Sequence, residues 1–229
     1  MEFHGLNKLT LLDFPEHLAC TVFTGRCNLR CPFCHNAGLV LSPENEPVIA
    51  PEEIFRFLEK RQGTLEGICV TGGEPTLQAD LLSFLRRCKE LGYLVKLDTN
   101  GTRPDVLSAA LREDLLDYIA MDIKNCPARY AETAGLSLVR LSAFEESITL
   151  IRGSGIPYEF RTTVVREFHT KEDLLAVGEW LKGSKRYALQ AFLNSGNLIG
   201  SGLSGYSAEE LREFRTLLLP YFEEVLLRA

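Results

Sequence analysis

No apolar run in the sequence approaches the roughly 18–20 residues needed to cross a bilayer as a helix, so no membrane-spanning segment is expected. There is no basic excess. The 25 Lys and Arg residues stand against 31 Asp and Glu, giving a net charge of −6. That balance argues against a broad nucleic-acid surface. There is no apolar leader either, because Asn7, Lys8 and Asp13 interrupt the stretch MEFHGLNKLTLLDFPEH. A signal peptide is therefore not expected and a cytoplasmic setting is. An even cysteine framework is also missing. Seven cysteines without regular spacing point to reduced thiols, not to disulfides. Cys20, Cys69, Cys88 and Cys126 are scattered and read as small buried apolar residues.

What is present is ordinary globular material: 229 residues, 45% apolar and 24% charged. That length suits one large domain or two small ones. No linker or repeat is visible, so a single domain over residues 1–229 is expected, with residues 1–17 as an N-terminal extension. Short apolar runs alternate with amphipathic stretches. LACTVFT, GICVTG, YLVKLD, DYIAMDI, YEFRTTVV and RYALQAF read as six strands, and YFEEVLL as a last short one. Pro51 and Gly63 bracket one helix, and LQADLLSFLRRCKELG reads as the next. A further helix follows Pro104. Ser142 with Glu145, and Ser207 with Glu210, have capping-box spacing, while Thr170 can cap a helix running to about Lys182. Strands alternating with helices imply parallel pairing through right-handed crossovers. A complete eight-unit barrel takes about 250 residues. The expected fold is therefore α/β, a partial (β/α)6 TIM-like barrel with parallel strands; an open doubly wound sheet is the alternative. NSGNLIGSGLSG, within residues 194–206, reads as a flexible loop. GSGIP precedes a strand instead of following one, so it is a turn and not a dinucleotide loop.

The sharpest chemical signal is TGRCNLRCPFCHN, where Cys27, Cys31 and Cys34 have C-x3-C-x2-C spacing in the loop 25–38. That loop follows the first parallel strand, at the sheet end where active sites of such folds collect. A closed zinc site needs four ligands, usually two spaced pairs. No second pair exists, and His35 is adjacent to Cys34, so the two side chains diverge. A [4Fe–4S] cluster normally takes four cysteines; three leave one iron open to a ligand. A degenerate zinc knuckle is the plainer alternative.

CNLRCPFC, with the aromatic Phe33, and TGGEP, Thr71 to Pro75, together resemble the radical S-adenosylmethionine superfamily. CHN after the cluster loop, KLDTNG, AMDIK and EFRTTVV are similar to activating enzymes of glycyl radical enzymes, above all the anaerobic ribonucleoside-triphosphate reductase activating proteins. The resemblance runs from about Gly5 to Phe192. It implies one [4Fe–4S] cluster on Cys27, Cys31 and Cys34, with S-adenosyl-L-methionine on the open iron. It implies hydrogen abstraction from a glycine Cα of a partner glycyl radical enzyme, with flavodoxin or ferredoxin as electron donor. Phe33, His35 and Asn36 would line the cofactor pocket. Gly72 and Gly73 would let backbone carbonyls approach the cofactor ammonium, with Glu74 adding a charged hydrogen bond. Asp98, Thr99 and Asp122 end two strands; the two carboxylates could hold a monovalent cation. Lys124 and Arg161 would face the cofactor carboxylate or ribose.

Formate-lyase-type activases carry a histidine after the sixth strand, where this chain has Leu193. That departure disfavours a formate-lyase partner. The leftover cysteines are too few for an inserted ferredoxin-like segment, so one cluster is expected. Two other functions fit parts of the pattern. One is a radical enzyme acting on a small heterocycle, as the deazaguanine-forming synthases do. The other is a non-enzymatic electron carrier or zinc-binding module.

Overall fold

The computed structural model describes residues 1–228. Eight strands lie in one sheet in chain order: β1 Phe3–Thr10, β2 Ala19–Thr24, β3 Gly67–Gly72, β4 Leu94–Thr99, β5 Tyr118–Asp122, β6 Tyr158–Val164, β7 Ser184–Ala191 and β8 Phe222–Arg228. The helices are α1 Ala37–Leu41, α2 Pro51–Arg61, α3 Leu81–Glu90, α4 Pro104–Arg112, α5 Tyr130–Thr133, α6 Leu141–Gly153, α7 Lys171–Trp180 and α8 Ala208–Leu218. The α/β class and the mainly parallel pairing agree with the sequence. No helix among the described residues is long and apolar enough to cross a membrane.

Two compact units divide the chain. The first comprises Met1–Asn28, Gly38–Ala120 and Ala143–Pro157. Within it β2, β3 and β4 pair in parallel, and β1 pairs antiparallel with β2. The first four residues of β3 are wholly buried, as expected of a strand covered on both faces. Helix α2 begins on Pro51 with Glu52 and Glu53 in its first turn and ends on Lys60 and Arg61, a charge order that opposes the helix dipole. Its Ile54, Phe55 and Leu58 face the interior.

The second unit comprises Leu29–Ala37, Met121–Ser142 and Tyr158–Ala229. Here β6, β7 and β8 pair in parallel. The N-termini of α7 and α8 carry the expected caps. Thr170 accepts from the Asp173 N–H while Asp173 accepts from Thr170, and Ser207 pairs with Glu210 in the same way.

Several elements differ from expectation. The N-terminal extension contains a full strand, β1, whose Asn7, Lys8 and Leu9 are exposed; an edge strand wet at its centre leaves no period-two signal. Helix α6 starts at Leu141, so Ser142 sits inside its first turn and caps nothing. Pro75–Leu77 forms a separate 3-10 turn, and α3 starts only at Leu81. Helix α7 stops at Trp180, short of Lys182. The short helices α1 and α5 carry too few turns to show a period. All four scattered cysteines are buried, and burial pushes the Cys20 thiol up to about 12.

Candidate active site

In the first unit, three strand ends meet. Thr24 closes β2, Gly72 closes β3 and Thr99 closes β4. The Gly73 N–H donates to the Thr24 carbonyl at 2.7 Å, and the Glu74 N–H donates to the Arg26 carbonyl at 2.8 Å. A Cβ on Gly72, which has φ +114°, would lie 2.4 Å from Thr24 backbone atoms. One on Gly73 would lie 2.0 Å from the Arg26 carbonyl oxygen. The Gly-Gly pair is thus required by the chain's own backbone at the start of the cysteine loop. Arg26 itself has φ +65°, a conformation costing about 1–3 kcal/mol for a residue with a side chain. Two backbone bonds hold it there: Glu74 N–H on its carbonyl, and its own N–H donating to the Leu39 carbonyl at 2.7 Å.

Glu74 is buried and its carboxylate is turned into the chain. Oε1 accepts from the Thr76 N–H at 3.1 Å and from Thr99 Oγ1 at 2.7 Å, and Oε2 accepts from the Asn100 N–H at 2.6 Å. Burial pushes its pKa up, and these hydrogen bonds oppose the rise. Glu74, expected to add a charged hydrogen bond to a cofactor ammonium, clasps the ends of β3 and β4 together. Thr99, also buried, is part of that clasp. Asn100, which lies within the KLDTNG motif, donates from Nδ2 to Cys27 Sγ at 3.6 Å and to Asn28 Oδ1 at 2.9 Å. Asp98 is paired with Lys96, whose side chain is 1% exposed.

In the second unit, the cysteine loop is held from two sides. The Arg30 N–H donates to the Ala134 carbonyl at 2.8 Å, and Gly135 has φ +69° with no room for a Cβ against the Arg30 carbonyl. The Gly200 N–H donates to the Pro32 carbonyl at 2.7 Å. The loop 194–206 thus meets the cysteine loop at Gly200. Its Ser204 N–H and hydroxyl reach Glu167. Phe33 is buried against Phe168 and His169. His35 is exposed; its Nε2 lies 2.7 Å from the Leu193 carbonyl and its ring packs on Phe192. Asn36 is half-buried beside it.

Asp122, Lys124 and Arg161 form a cluster of one carboxylate and two cations. Arg161 Nε donates to Oδ1 at 2.8 Å and Lys124 Nζ to Oδ2 at 3.1 Å. Burial works against the charge on Asp122, but Arg161 and Lys124 hold its carboxyl well below the usual range. Burial likewise opposes the Lys124 charge, while Asp122 and Cys31 raise its basicity. His169 is fully buried: its Nε2–H donates to the Lys124 carbonyl at 2.7 Å.

Among the described residues, no group of three or more His, Cys, Asp or Glu side chains is already gathered as a metal-binding set. The donor chemistry nevertheless fits an iron–sulfur cluster. Three thiols share one short loop without a fourth. An amide N–H reaches Cys27, and the Lys124 ammonium acts on Cys31. Hydrogen bonds and positive charge of this kind favour the thiolate form that iron binds.

The Radical SAM superfamily model matches residues 21–181, and the chain belongs to that superfamily. Membership implies a [4Fe–4S] cluster and S-adenosylmethionine. More particularly, the chain is 31% identical, over 98% of its length and 95% of the relative's, to a protein of Methanocaldococcus jannaschii that carries the provisional name glycyl-radical enzyme activating enzyme. A provisionally named GTP 3',8-cyclase of Pyrococcus horikoshii is 37% identical over 102 residues, covering 44% of this chain and 32% of that protein. Among solved structures, Streptococcus suis SuiB bound to its precursor peptide SuiA matches with a TM-score of 0.73 at 14% identity. That match covers 91% of this chain, which spans about half of SuiB, 48%. Methylornithine synthase matches with a TM-score of 0.63 at 15% identity, over 90% of this chain and 63% of that one. The fold likeness agrees with the expected partial barrel.

Proposed function

We propose that the chain is a radical S-adenosylmethionine activase that takes a hydrogen atom from a glycine Cα of a partner glycyl radical enzyme. Anaerobic ribonucleoside-triphosphate reductase is the proposed partner, and a flavodoxin or ferredoxin the proposed electron donor. The observation that carries the reading is a three-thiol loop without a fourth cysteine, in a chain similar over 98% of its length to a protein provisionally named an activating enzyme. When bound, the cluster and S-adenosylmethionine supply the electron, the sulfonium cleavage and the acceptor of the hydrogen atom. Cys27, Cys31 and Cys34 are the proposed iron ligands in the loop 25–38. The two cations of the Asp122 cluster exceed its one carboxylate, so Lys124 and Arg161 retain net positive charge to orient the cofactor carboxylate. Glu74 acts as a positioning residue, because its oxygens fix the backbone of Thr76 and Asn100. Phe33, His35 and Asn36 are proposed pocket walls that keep water out.

Anaerobic mixing of the reconstituted, reduced protein with S-adenosylmethionine and the reductase tests the reading. Electron paramagnetic resonance should show a glycyl doublet, and Cys31→Ala should lose both the visible cluster absorbance and 5′-deoxyadenosine formation. Formation of 5′-deoxyadenosine without the doublet overturns the partner; absence of both overturns the enzyme. The partial similarity to GTP 3',8-cyclases favours a second reading, chemistry on a small heterocycle. Turnover of a free heterocycle such as GTP without any protein partner would establish it.

A further inference from the structure

We infer that the Lys96 ammonium is the built-in cation of Asp98, so that this chain uses no monovalent metal ion there. The inference rests on the cofactor reading above only for its second readout. Lys96 and Asp98 lie two residues apart on β4, so their side chains share one face of the sheet. Lys96 Nζ donates to Asp98 Oδ1. The same Nζ lies 3.7 Å from Cys69 Sγ and 5.8 Å from the centroid of the Tyr118 ring.

A lysine with 1% of its side chain exposed keeps its proton only when a counter-charge is at hand. Asp98 supplies that charge, and the Tyr118 face adds an attraction that an ammonium enjoys. A thiol and an aromatic ring are poor surroundings for sodium or potassium, which take oxygen ligands. A second cation on Asp98 would also face the ammonium at close range.

Asp122, the other carboxylate expected to hold a metal, is equally committed. Arg161 Nε occupies Oδ1 and Lys124 Nζ occupies Oδ2. A metal ion there would share each oxygen with a cation already in contact and be repelled by both. Both carboxylates that suggested a cation site are thus neutralised by the chain itself, each within its own unit.

The test uses the full chain in choline chloride, with sodium or potassium chloride exchanged in at constant ionic strength. The melting temperature of the wild-type chain without cluster should not change. Lys96→Met, which keeps the stem and removes the charge, should melt lower and recover by roughly 5 °C or more, saturably, when excess sodium or potassium is added. In the reconstituted holoenzyme, the wild-type Kd for S-adenosylmethionine should be indifferent to the exchange, whereas that of Lys96→Met should fall about tenfold with added ion. A saturable rise in wild-type melting temperature with sodium or potassium overturns the inference. So does a folded Lys96→Met that responds to neither ion. If that variant fails to fold, thallium-205 resonance of the wild type decides: a displaced, sodium-competed thallium signal overturns the inference and its absence supports it. Failure to bind S-adenosylmethionine at all would overturn the activase reading, while the melting experiments on the cluster-free chain still decide the role of Lys96.

Discussion

Gly73 sits where any side chain would strike backbone. A methyl group 2.0 Å from the Arg26 carbonyl oxygen cannot be absorbed by a rotamer change. Gly73→Ala should therefore destabilise the chain by about 1–3 kcal/mol, read as a lower denaturant midpoint. An unchanged midpoint would show that the two strand ends part easily. The Gly-Gly pair was visible in TGGEP, but its cause was not, because the contact joins residues nearly fifty positions apart. Asn100 was missed for the same reason: its amide meets Cys27 only after β4 is laid into the sheet. His169 offers a pH test at this scale. Its Nδ1 accepts from the Val165 N–H at 3.0 Å and its Nε2–H donates to Lys124, so the ring is neutral. Burial holds its pKa below the ordinary value of 6.5, against the opposing pull of the Lys124 carbonyl. The unfolded chain then binds a proton near pH 6.5 that the folded chain refuses. Its stabilising contribution is full above that pH and lost as pH falls toward the depressed folded value, at up to about 1.4 kcal/mol per pH unit. His169→Gln, which retains one acceptor and one donor, should flatten the melting temperature between pH 7 and 5.5. A slope identical to wild type would assign the pH dependence elsewhere.

Helices were legible where they are long and capped, and their starts could be judged by the same pattern used correctly and incorrectly. Thr170 and Ser142 both precede a carboxylate by three residues. Only Thr170 has the extended backbone of a cap and receives the Asp173 N–H. At Ser142 the helix has already begun at Leu141. Thr170→Ala should cost about 1 kcal/mol, whereas Ser142→Ala, at an exposed position, should stay within about 0.5 kcal/mol of wild type. Equal losses would mean that Ser142 caps in solution. Strands with buried centres, such as β3 and β5, announced themselves by continuous apolar runs. The strand β1 did not, since pairing with β2 along one edge needs no apolar core of its own. The glycines and serines of the loop 194–206 suggest mobility by composition, and sequence alone does not show that the Gly200 N–H donates to the Pro32 carbonyl.

At the scale of the molecule, alternation of strand and helix was enough to set the α/β class, and two motifs at strand ends were enough to set the superfamily. What composition could not reveal is how the last strand is locked. Strand β8 pairs with β7, and its Arg228 reaches Glu159 on β6, with Nη1 on Oε1 at 2.7 Å and Nη2 on Oε2 at 2.6 Å. Glu159 is 0% exposed, while Arg228 is 32% exposed. Glu159 and Arg161 share a face of β6, so one motif, EFRTTVV, supplies both a partner for the sheet edge and a cation for Asp122. Removing Arg228 leaves a buried carboxylate without its bidentate partner. Such a loss costs about 3–5 kcal/mol when both charges are buried. The wet side of Arg228 brings the expectation to about 3 kcal/mol, or roughly 6–12 °C in melting temperature for a chain of this size. Glu159→Gln combined with Arg228→Ala should recover much of that loss, because a neutral amide is far cheaper to bury than a carboxylate that has lost its guanidinium. A double-mutant cycle separates the pair from its surroundings. If the double variant is no more stable than Arg228→Ala alone, the guanidinium stabilises β8 by packing, and the buried charge is satisfied by other groups.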